Sequence, residues 1–340
     1  MNLERIPFHT KLYAGVIGLI TVCLVGVSFF AIQAATKNAY DLGKQALKNA
    51  GDTRDAALHM HHETIQSKLQ GDVAAFLAQT AALGKPRLAA EPSQKVTMVN
   101  QITQEAKEVE IPLLSIGVSD FPFGDMSLVE RMAKIAPGAA FTLFQVVDGK
   151  LLRIATTVQK ADGSRAIGTY IPADSPVTQA ILRGETYTGR AFVVKEWFTT
   201  AYTPLQDHTG KIIGAVSAGR PILTPEVRSF ISGLRVADVG YFFAYDSSGK
   251  FWVHPKLEGK NLFELPVVGD IFKANTDRKV EGFVEYPWEG ETKYTYVRYI
   301  EPWDLYVAAG LKRSEILQGA DKAIIRSALL AGGPCWWLAS

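Results

Sequence analysis

The chain has 340 residues, 47% of them hydrophobic and 21% charged, with a formal net charge of +2 at pH 7. Such a chain buries apolar cores and is not a disordered tail, and a balance so close to neutral, with no basic patch interleaved with aromatics, excludes a nucleic-acid binder. With only two cysteines, Cys23 and Cys335, there is no disulfide framework, so an exported region must be held together by its core.

Residues 1–11 are short and carry Arg5 and Lys11. From Leu12 to Ala35 there is no charge at all. That run is long enough to cross the roughly 30 Å hydrocarbon core as a helix. A cleaved signal peptide shares the same ingredients, but its apolar core spans only about 7–15 residues, so 12–35 reads as an uncleaved anchor. Arg5 and Lys11 place the N-terminus in the cytoplasm and the bulk of the chain outside the inner membrane. Residues 36–80 contain no proline, and Leu42, Ala46, Ala50, Ala57, Ile65, Leu69, Val73 and Phe76 recur at helical spacing, which predicts one long helix leaving the membrane. A Pro-containing turn at Glu91-Pro92-Ser93 introduces a second expected helix, Lys95 to Val109.

From Ala139 the pattern becomes short β runs divided by turns: Phe141 to Val147, Leu151 to Val158 and Ile167 to Ile171. A short helix, Ser175 to Arg183, stops at Gly184. The strands Thr186 to Val194, Phe198 to Pro204 and Lys211 to Ala218 close the unit. A second series follows with Gly240 to Asp246, Phe251 to His254, a helical stretch near Val268 to Ala274, and strands at Gly282 to Tyr286, Thr292 to Ile300 and Leu305 to Gly310. The two series end alike, on AVSAG (Ala215 to Gly219) and YVAAG (Tyr306 to Gly310), which predicts a tandem repeat of α+β units with antiparallel sheets.

The segments GAAFTLFQVVDGKLLRIATTVQKADGSRAIGTYIPADSPVTQAILRGETYTGRAFVV and GYFFAYDSSGKFWVHPKLEGKNLF resemble the tandem PAS-like extracellular sensors called Cache domains, of the Cache 3/Cache 2 fusion type, over about residues 40–315. The resemblance implies a long N-terminal helix bearing a membrane-distal module (81–222) and a membrane-proximal module (223–315), as in bacterial chemoreceptors and sensor kinases. It also implies a second membrane helix leading to an output domain. Here Glu315 to Arg326 reads as an exit helix, and residues 316–340 as that helix with a shortened membrane segment broken by Gly332, Gly333 and Pro334.

The first module contains GRAFVVKEWFTTAYTPL, which brings Arg190, Lys195, Trp197, Thr199, Thr200 and Tyr202 close in sequence. Cations and hydroxyls beside aromatic walls suit a small carboxylate. Alternation along a strand puts Arg190 with Phe192 and Val194 on one face, and Lys195 and Trp197 on the other unless a bulge intervenes. Lys195-Glu196-Trp197-Phe198 matches the Arg-x-Trp-Tyr phrase of amino-acid-sensing relatives only in part, lacking the guanidinium fork and the phenol. The competing reading makes Trp197, Phe198 and Tyr202 ordinary core. In the second module Tyr245, His254, Tyr296 and Arg298 form a secondary candidate set, against a reading in which the aromatics simply fill the sheet. His59, His61 and His62 on the long helix read as a solvated or dimer-facing polar stripe rather than a metal site.

No phosphate loop or nucleophile elbow is present, since Ser217 in Gly214-Ala215-Val216-Ser217-Ala218-Gly219 stands three residues after its glycine rather than two. The sequence therefore predicts a ligand-sensing region of a chemotaxis-type receptor, homodimeric through the long helix, with no catalytic residues, cofactor or metal. A histidine-kinase input region, an anchored envelope enzyme and a helical scaffold are the alternatives.

Overall fold

The computed structural model describes residues 8–318, apart from 161, 194, 195, 234, 237 and 238. The shortened membrane segment expected at 327–340 therefore lies outside the described residues, as does most of the exit helix, of which 313–318 are helical. α1 (Phe8–Leu83) is a single helix. Its first part is long and apolar enough to cross a membrane, and none of that stretch is buried in the protein. Leu12, Ile17, Val22, Leu24 and Phe30 are all exposed, which suits a lipid surround rather than water.

The chain divides into two compact units. One comprises Ala57–Ser229 with Ile300–Trp303; the other comprises Met1–Ala56, Phe230–Tyr299 and Asp304–Ser340. In the first, β1 (Pro86–Asn100) and β2 (Ala106–Ile116) form a long antiparallel hairpin where a helix over 95–109 was expected. Burial there alternates with period two, Val96 and Met98 inside and Lys95 and Thr97 outside. β-branched Val96, Thr97, Val99 and Val109 favour that outcome over a helix. The register shifts between Ala89 and Ser93, around Glu91-Pro92, where proline has no N–H to give the ladder.

β3 (Ser119–Phe121), α2 (Ser127–Ile135), β4 (Ala140–Val147), β5 (Lys150–Thr156), β6 (Thr169–Ile171), α3 (Pro176–Leu182), β7 (Tyr187–Val193), β8 (Glu196–Gln206) and β9 (Ile212–Pro221) complete this unit. Its sheet has the order β3-β2-β1-β6-β5-β4-β9-β8-β7, antiparallel except for β1 with β6. One face packs Phe141, Leu143, Ile154 and Ala201 against Leu69, Val73 and Phe76 of α1 and Met132 of α2. The other gathers Phe144, Leu151, Ile171 and Tyr202 with Val177 and Ile181 of α3. Asp72 of α1 takes Arg220 from β9 at 2.8 Å, tying the helix to this sheet.

α4 (Pro225–Ser232) leads on toward the second sheet, built from β10 (Tyr241–Asp246), β11 (Phe251–Val253), β12 (Gly282–Trp288), β13 (Glu291–Ile300) and β14 (Leu305–Lys312), with α5 (Val268–Asp277) between β11 and β12. Its order is β11-β10-β14-β13-β12. That is the order β5-β4-β9-β8-β7 of the first sheet, with a helix at the same point in the chain, as the two matching strand endings suggest. The core under α5 holds Phe243, Tyr245, Phe272, Tyr286 and Tyr306. On the opposite face α1 comes so close that a Cβ at Gly51 would lie 2.6 Å from the Tyr296 ring.

Candidate functional site

The α3 face of the first sheet carries a charge where the strand pattern calls for an apolar side chain. Arg153, on β5 between Leu151 and Ala155, is 1% exposed. Its Nη1 donates to Thr169 Oγ1 at 2.8 Å, its guanidinium carbon lies 5.3 Å from the Phe144 ring centre, and its Nε has no hydrogen-bond partner. Burial draws its pKa below the usual arginine value, but a guanidinium is not deprotonated in a protein. A small cavity opens beside it, lined among others by Thr142, Phe144, Phe198, Thr200, Tyr202 and Ser217, with room for about one water. Tyr202 is buried, which raises its phenol pKa, against the counteracting pull of Arg153. Thr200 Oγ1 donates to Gly189 O at 3.0 Å, and Thr142 and Thr156 share a 2.6 Å hydroxyl contact. The site therefore offers a cation, several hydroxyls and aromatic walls in a nearly dry space, where charge-assisted hydrogen bonds are strong.

The residues singled out from the sequence divide around this geometry. Thr200 and Tyr202 line the cavity. Arg190, Trp197 and Thr199 do not. β7 pairs with β8 so that Arg190 lies opposite Thr199 and Phe192 opposite Trp197, and cross-strand partners share a face. Trp197 is therefore on the same face as Arg190, not the opposite one, because alternation counted along one strand does not carry through a hairpin turn. Arg190 stacks on Trp197, 3.6 Å from its ring centre, and its Nη1 donates to Trp303 O at 2.8 Å. Thr199 has the parity of Ala201, which faces α1. Lys195 lies outside the described residues.

The secondary set also separates. Tyr245 is stacked on Tyr306 at 5.0 Å in the α5-side core. His254 Nδ1 accepts the backbone N–H groups of Lys256 and Leu257, each at 3.0 Å. Burial, with the charges of Lys293 and Lys256, lowers its pKa to about 4, so it is a neutral turn-capping imidazole at pH 7. Tyr296 and Arg298 point the other way, to α1: Tyr296 donates to Asp52 at 3.0 Å and Arg298 to Asp55 at 3.0 Å. The histidine stripe on α1 is not solvated throughout, since His62 is buried and its Nδ1 accepts from Trp303 Nε1 at 2.9 Å. Among the described residues no three His, Cys, Asp or Glu side chains converge as a metal site.

Residues 33–324 match the family model of the Cache 3/Cache 2 fusion domain. The chain belongs to that family. The ligand-binding domain of the Campylobacter jejuni chemoreceptor Tlp3, solved with L-valine, is 14% identical, with 83% of this chain and 97% of that one covered and a TM-score of 0.45. A methyl-accepting chemotaxis protein from Vibrio parahaemolyticus is 29% identical over 27% of this chain and 70% of its own, with a TM-score of 0.24. The ligand-binding domain of the Pseudomonas aeruginosa amino acid chemoreceptor PctC, solved with GABA, is 15% identical over 79% of this chain and 99% of its own, with a TM-score of 0.39.

Proposed function

We propose that this Cache chain is the extracytoplasmic ligand-sensing region of a transmembrane signalling receptor of the chemotaxis type, anchored in the inner membrane by 12–35. Residues 81–222 and 223–315 form its two modules, and α1 is its dimer contact. The ligand is a small carboxylate held in the first module by Arg153, with the Tyr202 hydroxyl as a second donor and Thr200, whose own proton goes to Gly189 O, lining the pocket. The observation that carries the reading is the arginine itself, 1% exposed with an unpartnered Nε, on a cavity lined by hydroxyls and rings. A guanidinium buried only for structure would be replaced by an apolar side chain at little cost or at a gain.

The space beside Arg153 holds about one water, so a solute larger than water enters only as the lining moves apart. Ligand therefore favours one of two arrangements of the sheet, whose opposite face packs on Leu69, Val73 and Phe76 of α1. Differential affinity for two arrangements is what a sensor needs. The test is a thermal-shift screen of the full chain in detergent against C2–C6 monocarboxylates, dicarboxylates and amino acids, repeated with Arg153→Met and Tyr202→Phe. Arg153→Met should abolish the shift, and Tyr202→Phe should reduce it. A hit whose shift survives Arg153→Met refutes the site.

A further inference from the structure

The other face of the first sheet carries a larger opening. Where the last turn of α1 meets the start of β1 and the end of β8, a cleft of about 500 Å³ opens to solvent, within the roughly 300–1,000 Å³ of small-molecule sites. Its walls are Leu77 and Ala81 of α1, Pro86 of β1, and Pro204 and Leu205 of β8. Leu205 belongs to the core that packs the sheet on α1, and Leu77 packs against that core. The cleft therefore lies across the sheet from Arg153 and shares no lining residue with the cavity there. At its edge Gly84 leaves the helix with φ +123°, and a Cβ on it would stand 2.7 Å from Gly117 Cα. That close pair of glycines sets the turn from α1 into β1.

The polar part of the lining accepts hydrogen bonds more than it donates them. Thr80, 4% exposed, gives its hydroxyl proton to Leu77 O at 2.8 Å and keeps only its lone pairs. The final carbonyls of an α-helix lack donors within the helix, and here the Gly84 N–H takes up one of them, Ala81 O, at 3.2 Å. Gln206 adds an exposed amide. Two charges of opposite sign act on a bound molecule. The carbonyl end of α1 is the negative pole of the helix and disfavours an anion, while exposed Lys85 at the rim disfavours a cation. Among the described residues no Asp, Glu, His or Arg lines the cleft. An uncharged molecule with an O–H to give fits this balance. Walls without an aromatic of their own suit a ligand ring, which brings much apolar area and little conformational freedom to lose.

We propose that this cleft is a second small-molecule site, for a neutral phenol whose ring packs between Leu77, Pro86 and Pro204 and whose hydroxyl donates to Thr80 Oγ1. A phenol titrates near pH 10, so at pH 7 it is uncharged and a donor. Its occupancy touches α1 and β8 together, and so bears directly on the packing of the helix against the sheet.

Fluorine NMR of 4-fluorophenol added to the full chain in detergent at pH 7 tests this, with empty micelles of the same detergent as the blank. A saturable shift beyond the blank is expected, and Arg153→Met should leave it unchanged. Ala81 is exposed, so Ala81→Phe fills the cleft without entering the core and should abolish binding. Thr80→Val keeps the side-chain shape and should weaken binding about 2- to 10-fold, the loss of one uncharged hydrogen bond. Fluorobenzene, with no proton to give, should bind the parent more weakly by a similar factor, and 4-fluorobenzoate should show no binding that Ala81→Phe removes. Absence of a saturable shift, or an affinity for 4-fluorophenol unchanged by Ala81→Phe or by Thr80→Val, overturns the proposal. Fluorobenzene bound as tightly as 4-fluorophenol overturns the phenol assignment. Loss through Arg153→Met with Ala81→Phe silent would place the phenol in the Arg153 cavity and overturn it too. Loss through Ala81→Phe in a chain that still binds a carboxylate through Arg153 supports it without touching the Arg153 reading.

Discussion

Replacing Lys293 with methionine should stabilise the protein near neutral pH, and the gain should fade as the pH rises. Lys293, on β13, is 1% exposed, its Nζ lies 3.7 Å from the ring centre of Tyr241 and 5.3 Å from that of Trp288, and burial lowers its pKa from 10.5 to about 7. At 1.36 kcal/mol per pKa unit, that displacement corresponds to about 5 kcal/mol between folded and unfolded states. Below pH 7 the lysine is protonated in both states, and the folded protein bears the whole cost of the buried charge. Between pH 7 and 10.5 the folded state has released the proton while the unfolded chain still binds it, so stability rises with pH. The aromatic rings and structural relaxation reduce the realised rise to about 2–4 kcal/mol. Lys293→Met should therefore gain about 1–4 kcal/mol at pH 6 and lose most of that advantage by pH 10. Urea unfolding of the full chain in detergent, followed by tryptophan fluorescence across pH 6–10, gives both curves. A pH slope identical in parent and variant, or a variant less stable at pH 6, would refute the argument that this lysine is buried at a cost.

Arg190→Ala removes a cation–π contact and a bond to Trp303 O, and should cost about 1–3 kcal/mol of stability while leaving ligand-induced thermal shifts in place; loss of the shift in a folded variant would return Arg190 to the ligand site. Asp72→Ala strands Arg220 and should cost about 2–4 kcal/mol in urea unfolding, less than the roughly 3–5 of a fully buried pair because Arg220 is partly exposed; a cost under about 1 kcal/mol would show that the pair does not hold α1 to the first sheet. Alkaline phosphatase fused after Ala50 should be active, and an inactive fusion alongside an active cytoplasmic reporter at the same point would reverse the topology.

The apolar N-terminal helix was legible from its charge-free run, and the long helix and most strands of both sheets because each follows one periodicity. The hairpin β1–β2 was not. Its residues mix Met98, Gln101, Gln104, Ala106 and Lys107, good helix formers, with β-branched Val96, Thr97, Val99 and Val109, and the buried positions take one of each kind, Val96 and Met98. Local propensity is weak when an adjacent strand, here β6, offers pairing. The error over Arg190 and Trp197 had a different source, for the register of the β7–β8 hairpin decides which residues share a face, and the sequence between the two strands carries no strong turn signal.

The strand pattern misses Arg153 and Lys293, because a charge in a strand is normally assigned to the solvent face. The available signal was parity: Arg153 stands two residues after Leu151, and Lys293 two and four before Thr295 and Val297, so each is in register with buried side chains, although a bulge at Ile154 turns Ala155 to the α1 face. The matching endings AVSAG and YVAAG have a steric basis. A Cβ at Gly219 would meet Thr200 Cγ2 at 3.1 Å, and one at Gly310 would meet Lys293 Cε at 2.6 Å. Each glycine thus makes room on its last strand for the neighbouring strand, β8 or β13. The cations themselves do not correspond. Arg153 comes from β5, whose counterpart in the second sheet is β11, whereas Lys293 comes from β13, the counterpart of β8. A planar fork reaching from one side of a sheet and a single ammonium rising from the other cannot present the same geometry to a carboxylate. Two sheets of one strand order therefore place their buried charges at different points, and the carboxylate proposed for the Arg153 site should find no equivalent set of partners in the second sheet.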